Sequence, residues 1–194
     1  MADLVDGQEY EARLVMVADL GMHTREFKGE VKEPCRKKAL ALEIIGVERS
    51  WEHEGEQHTG PLVLWDKPFN SFDILTDKGV ELVKYKVFNS TAVGGVEPDW
   101  ESQLGTPVNV TIVHSAKKGD PKVVYDNIGN IAPIPQKYQG GVGEAVSKLK
   151  CGHCEDNLYG LTKWFWDRRI DEGPTQEDQG SHEPAFDPDS EIPF

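Results

Sequence analysis

Three cysteines in 194 residues are too few, and odd in number, for a disulfide scaffold, so the chain is expected to work in a reducing compartment. No apolar run reaches the ~18 residues that would mark a membrane span. The opening "MADLVDGQEYEARLV" has neither a basic start nor an apolar stretch, so no secretory signal is expected and the expected location is cytoplasmic. Catalytic signatures are missing as well. There is no phosphate loop, nucleophile elbow or paired-carboxylate motif, and "HEGEQH" (53–58) holds two His and two Glu without the H-E-x-x-H spacing of a zinc protease. These absences argue against an enzyme, and no cofactor is expected. No internal repeat is present.

Basic charge is scarce overall but unevenly so. The net charge is −13, yet residues 171–194 hold eight carboxylates and no Lys or Arg, leaving 26 acids against 21 bases, or −5, in residues 1–170. The whole-chain charge therefore cannot be used to exclude nucleic acid; it has to be read by segment. The 171–194 stretch is rich in Gly, Pro, Ser, Gln and acid and poor in apolar residues, and is expected to be disordered.

The rest of the chain reads as mainly β. In "YEARLVMVA" (10–18), Tyr10, Ala12, Leu14 and Met16 alternate with Glu11, Arg13 and the valines, which predicts a strand. A second strand is expected over 38–47, with Leu40, Leu42 and Ile44 on one face, and a third over 60–69, ended by Pro68. Between the first two lies an expected loop carrying Arg25, Lys28, Lys32, Arg36, Lys37 and Lys38. Residues 75–87 alternate partly but have Thr76 or Asp77 as candidate caps, which favours a helix. "TPVNVTIVHS" (106–115) and "PKVVYDNI" (121–128) flank a Gly-Asp and read as a hairpin. About five strands with a helix between the third and fourth match a small Greek-key barrel of the OB type. Residues 1–138 form that domain in this reading. "QGGVG" (139–143) reads as a hinge, residues 139–170 as a helical extension striped by Leu158, Leu161, Phe165 and Trp166, and 171–194 as the acidic tail.

Three stretches taken together resemble a known family. "YEARLVMVADLGMHTREFKGE" is similar to the opening of a family of bacteriophage-encoded single-stranded DNA-binding proteins. "LGTPVNVTIVHSAKKGDPKVVYDNIGNIAPIPQKY" resembles that family's closing hairpin. The terminal "EIPF" is similar to the acidic Ile-Pro-Phe tails of bacterial single-stranded DNA-binding proteins. The resemblance implies an OB barrel that coats single strands in phage DNA replication or recombination without catalysis, in the host cytoplasm. It also implies a tail that recruits replication or recombination proteins through Asp187, Asp189, Glu191, Ile192, Pro193 and Phe194. The Cys-Gly-His-Cys segment has no counterpart in it.

Single-strand binding needs cations that follow phosphates and aromatic faces on which bases stack. The candidates are Arg13, Phe27, Lys28, Lys32, Arg36, Lys37, Lys38, Trp65, Phe69, Lys84, Tyr85, Lys86 and Tyr125. Lys163-Trp164 also places a base beside an aromatic, and Trp51 is a further candidate at an expected hairpin tip. Trp65 and Phe69 either stack bases or belong to the core at a strand end. Tyr85, between two lysines, is a platform or an edge-strand residue. The basic loop grips phosphate or is balanced by Glu26, Glu30 and Glu33. Trp164-Phe165-Trp166 reads as helix packing rather than a platform. "CGHC" (151–154) offers two zinc ligands in Cys151 and Cys154, short of the four a tetrahedral site needs, or simply structural thiols. The rival to DNA coating is a protein-interaction adaptor on the same barrel, which the acidic body favours.

Overall fold

The structure, a computed structural model, describes residues 4–53, 55–117, 119–152 and 154–170, with the backbone alone at Phe27 and His53. Strands β1 (Glu9–Phe27), β2 (Glu30–His53) and β3 (Glu56–Trp65) form an antiparallel meander. A short β4 (Phe69–Ser71) returns to pair with β2, and helix α1 (Val80–Phe88) follows. The hairpin of β5 (Pro107–Lys117) and β6 (Asp120–Pro133) then pairs with β1 through β5. A single turn, α2 (Gln136–Gln139), leads to β7 (Lys150–Gly152), which runs parallel to β1, and to helix α3 (Gly160–Asp167). The sheet order is β3-β2-β1-β5-β6. Strands β3 and β6 approach each other, so the sheet is barrel-like and nearly closed.

The alternation that predicts strands also fills the barrel. Ala12, Leu14 and Val17 of β1, Leu40, Leu42 and Ile44 of β2, Leu62 and Leu64 of β3, and Val108, Val110 and Ile112 of β5 point inward. A register shift between Leu14 and Met16 changes the phase of β1, as a bulge does. Met16, expected on the side of Leu14, therefore turns outward and Val17 inward. Outside the barrel a second core gathers Val15, Ala18 and Leu20 of β1 and Ala39 and Ala41 of β2 around Cys154. Strands buried on both faces read as near-continuous apolar runs, which "LVMVADL" and "ALALEII" are.

The expected basic loop is not a loop. β1 and β2 continue through it as a two-stranded ribbon, paired as far as Phe27 and Glu30, and reverse over Lys28 and Gly29 at φ 54° and 78°. Two consecutive positive φ values are the pattern of a type I′ hairpin. Strand two accordingly runs over 30–53 instead of 38–47. The helix within 75–87 starts only at Val80, with Gly79 as an N-cap that makes no side-chain bond; Thr76 and Asp77 do not cap it.

The extension departs most from expectation. Its α-helix spans only Gly160–Asp167, preceded by a 3-10 turn at Glu155–Asn157, and its earlier part lies against the outer sheet as irregular chain and β7. Two charged residues impose this. Arg13 and Glu43 are cross-strand neighbours on β1 and β2, both buried, on the outer face. Arg13 donates to the carbonyls of Val142 (2.9 Å), Gly143 (2.6 Å) and Gly105 (2.5 Å), and pairs with Glu144 at 3.4 Å. Glu43 accepts the amides of Val146 and Ser147, each at 2.7 Å. The stretch 139–143, expected to be a hinge, is thus held at its carbonyls, and Val142 is buried. At Gly143 a Cβ would lie 2.8 Å from the Ile45 side chain, so only glycine passes there without displacing it.

Replacing Arg13 with Met strands three carbonyls, and the expected loss is about 2–4 kcal/mol of stability in urea unfolding; a loss under about 1 kcal/mol would show that the clamp is not structural. A second prediction concerns alkali. Burial raises the Cys154 thiol from 9.0 to about 11, chiefly by desolvation. The unfolded chain therefore releases this proton first, and the stability present below pH 9 is lost as pH rises toward 11. Melting temperature should fall across that window, and less steeply in Cys154→Ala; equal slopes would refute the assignment.

Candidate nucleic-acid interface

The predicted site residues do not form one surface. Phe69 and Tyr85 are core residues. They pack with Phe88 around the buried Trp100, Tyr85 edge-on at 4.9 Å between ring centroids and Phe69 at 6.1 Å, and the Tyr85 hydroxyl donates to Asp99 O at 3.1 Å. The reason is helical geometry. Lys84, Tyr85 and Lys86 are adjacent in sequence but about 100° apart around α1, so Tyr85 faces inward with Leu82 and Phe88 while Lys86 is exposed. Arg13 is the buried clamp and cannot reach a phosphate. Trp65 is half-buried on the outer face, where the extension covers it and its Nε1 donates to Asn157 O at 3.2 Å. Tyr125 is half-buried on β6 opposite Ser115.

Several predicted cations are already paired. Lys38 approaches Glu81 at 3.4 Å, a buried carboxylate that also accepts from Ser71 Oγ (2.9 Å), Phe72 N (3.0 Å) and Trp100 Nε1 (3.0 Å). Lys84 pairs with Asp66, Lys32 with Glu30, and Arg36 with Asp19 at 2.5 Å. Lys28 is exposed at the ribbon tip. The side chain of Phe27, His153 of the Cys-Gly-His-Cys run, and the tail residues Asp187, Asp189, Glu191, Ile192, Pro193 and Phe194 lie outside the described residues. Cys151 is exposed with its pKa raised, mainly by desolvation, and Cys154 is buried beneath Val17 O. Among the described residues no group of three or more His, Cys, Asp or Glu could hold a metal ion.

What the fold does bring together is the base of the ribbon and α3, two segments more than 120 positions apart. Phe165 packs edge-on against the buried His23 at 5.3 Å, and the Lys37 ammonium sits 5.0 Å over the same ring while also donating to Asn70 Oδ1 at 2.9 Å. Burial there lowers the Lys37 pKa, partly offset by Cys35. Ile170 N bonds Met22 O at 2.8 Å, and the Arg169 stem lies over Gly21, where a Cβ would come within 2.8 Å. Just past the end of α3, Arg168 stacks on Trp164 at 4.4 Å and Arg169 on Trp166 at 3.8 Å, each also donating one N–H to the carbonyl of the same tryptophan. Both arginines are exposed and both indoles half-buried. A guanidinium held flat on an indole keeps N–H edges for phosphate while the ring fixes its position. Lys163 lies on the same helix, paired with Asp167.

Arg168 and Arg169 were not among the sequence candidates. Only part of their signal was present: Trp164 to Arg168 is i,i+4, a spacing at which side chains meet at a helix end, whereas Arg169 lies beyond the helix and its stacking on Trp166 depends on the turn that follows. A second exposed aromatic group lies at the far end of β2. Trp51 is 48% exposed and stacks on its cross-strand partner His58, with centroids 5.8 Å apart and planes at 21°.

No described helix is long and apolar enough to cross a membrane. The chain matches no protein-family model, no curated protein and no solved structure.

Proposed function

We propose that this protein is a non-catalytic single-stranded DNA-binding protein on an OB-type barrel. In this reading it coats single strands during phage DNA replication or recombination and recruits partners through its acidic tail. The observation that carries the reading is the cation–aromatic surface where the ribbon meets α3: Lys37 on Phe165, Arg168 on Trp164 and Arg169 on Trp166. Such a surface meets both needs of sequence-tolerant binding, charge for the backbone and rings beside it. The β3-β2-β1-β5-β6 order, with α1 between the meander and the closing hairpin, supports the OB assignment.

A second reading, an adaptor that grips proteins through the same barrel, is favoured by the pairing of Lys32, Arg36, Lys38 and Lys84 with carboxylates. One titration separates the two. Oligo-dT should quench tryptophan fluorescence, duplex should compete weakly, and affinity should fall as salt rises. Neutralising Lys37, Arg168 and Arg169 to Ala should flatten the salt dependence, by about 0.7 in log–log slope for each phosphate no longer neutralised. Absence of binding at low salt, or equal affinity for duplex, would leave the adaptor standing.

The tail enters through its charge. Eight carboxylates without a cation in residues 171–194 are repelled by phosphate, so its role is recruitment, with Ile192, Pro193 and Phe194 as an apolar anchor that acid alone lacks. A chain lacking residues 187–194 should bind single strands at least as tightly as the full chain. It should lose association with replication or recombination enzymes, as should Phe194→Ala. Loss of DNA binding on truncation would overturn this role.

A further inference from the structure

We propose that the arm formed by β2 and β3 carries a second base platform for a single-stranded polynucleotide, Trp51 on His58, on the face of β3 turned away from α3. The proposal rests on the preceding reading and gives that binding a second contact.

The arm begins where the β2–β3 register breaks, between Glu43 and Glu48, and continues as a regular ladder to His53 and Glu56. Within it Arg49 faces Gly60 and Trp51 faces His58, so Arg49 and Trp51 share one face. That face is shaped for the indole. Gly60 has no side chain, and a Cβ there would stand 3.1 Å from Trp51 Cη2. The ring therefore lies down along the arm and is backed by the imidazole. An indole braced in this way, yet almost half exposed, offers a flat apolar face at little cost in side-chain entropy.

Tyr159, the N-cap residue of α3, belongs to the first surface. Tyr159 is 50% exposed, but its hydroxyl is tucked against β3 and donates to Val63 O at 2.6 Å. Desolvation pushes that phenol up to about 12. Val63 packs on the outer core while Leu62 and Leu64 fill the barrel, so by alternation Gly60 and His58 lie on the face of β3 away from α3. Arg49, exposed and two residues from Trp51, adds a cation on that face. A strand long enough to touch both surfaces passes around the edge of the arm.

The test is a length series. Oligo-dT of roughly 4 nucleotides covers one surface and oligo-dT of roughly 16 covers both, the range a barrel of this type engages. Trp51→Ala should weaken the longer oligonucleotide about tenfold and the shorter less than threefold, with an unchanged melting temperature. Trp51→Phe should restore most of the loss. Gly60→Val, which pushes the indole off its bed, should reproduce the alanine phenotype. Combining Trp51→Ala with Arg168→Ala should multiply the two losses, as for separate contacts on one ligand. If the wild type binds oligonucleotide and Trp51→Ala binds both lengths as wild type, or loses both equally, the arm platform is wrong and the function stands. If no oligonucleotide binds the wild type, both fall.

Discussion

Arg13 and Glu43 decide what the rest of this molecule can be. They stand opposite each other on the outer face of the two central strands, where a barrel otherwise shows water or ligand. Two buried charges of opposite sign are tolerable only when each is hydrogen-bonded. Both are satisfied here by backbone, Arg13 by carbonyls of Gly105, Val142 and Gly143 and Glu43 by amides of Val146 and Ser147. One cross-strand pair therefore binds donors and acceptors of a single passing segment. That segment delivers Cys154, Leu158 and Phe165 onto the outer apolar face, and carries α3 to the base of the ribbon.

Trp65 and the outer faces of β1 and β2 are covered by the extension. In the proposed single-strand reading this part of the sheet is therefore not a stacking surface, and the covering layer brings aromatics and arginines of its own. Lys38 is withdrawn from the surface by a different device. Glu81 is buried and fully satisfied by Lys38, Ser71, Phe72 and Trp100, which turns Lys38 inward. Cations that look alike in sequence therefore divide into structural ones, such as Arg13 and Lys38, and exposed ones, such as Arg168 and Arg169.

Much of the barrel was legible because its strands obey the period-2 rule: strands lie over 10–18, 107–115 and 121–128, the last two as an antiparallel pair. Strand lengths were not legible across 19–38. Charged residues dominate that stretch, and a ribbon that projects from the barrel buries too little to leave an apolar pattern. The Lys-Tyr-Lys triplet was misleading because adjacency in sequence means proximity on neither a helix nor a strand. The Trp-Phe-Trp stretch reads as packing, which holds for Phe165, while its two tryptophans hold the arginines that follow.

Local periodicity and composition, which depend on near neighbours alone, determined a mainly β barrel-like chain, a helix near residue 80 and a strongly acidic 171–194 segment. Where Arg13 and Glu43 send their hydrogen bonds, which tryptophan is bedded on glycine, and which cations meet rings were decided only by the tertiary structure. Those contacts join residues as far apart as Arg13 and Gly143, or Lys37 and Phe165. The free energy that selects them comes from desolvating both partners together, and a linear pattern carries no record of that.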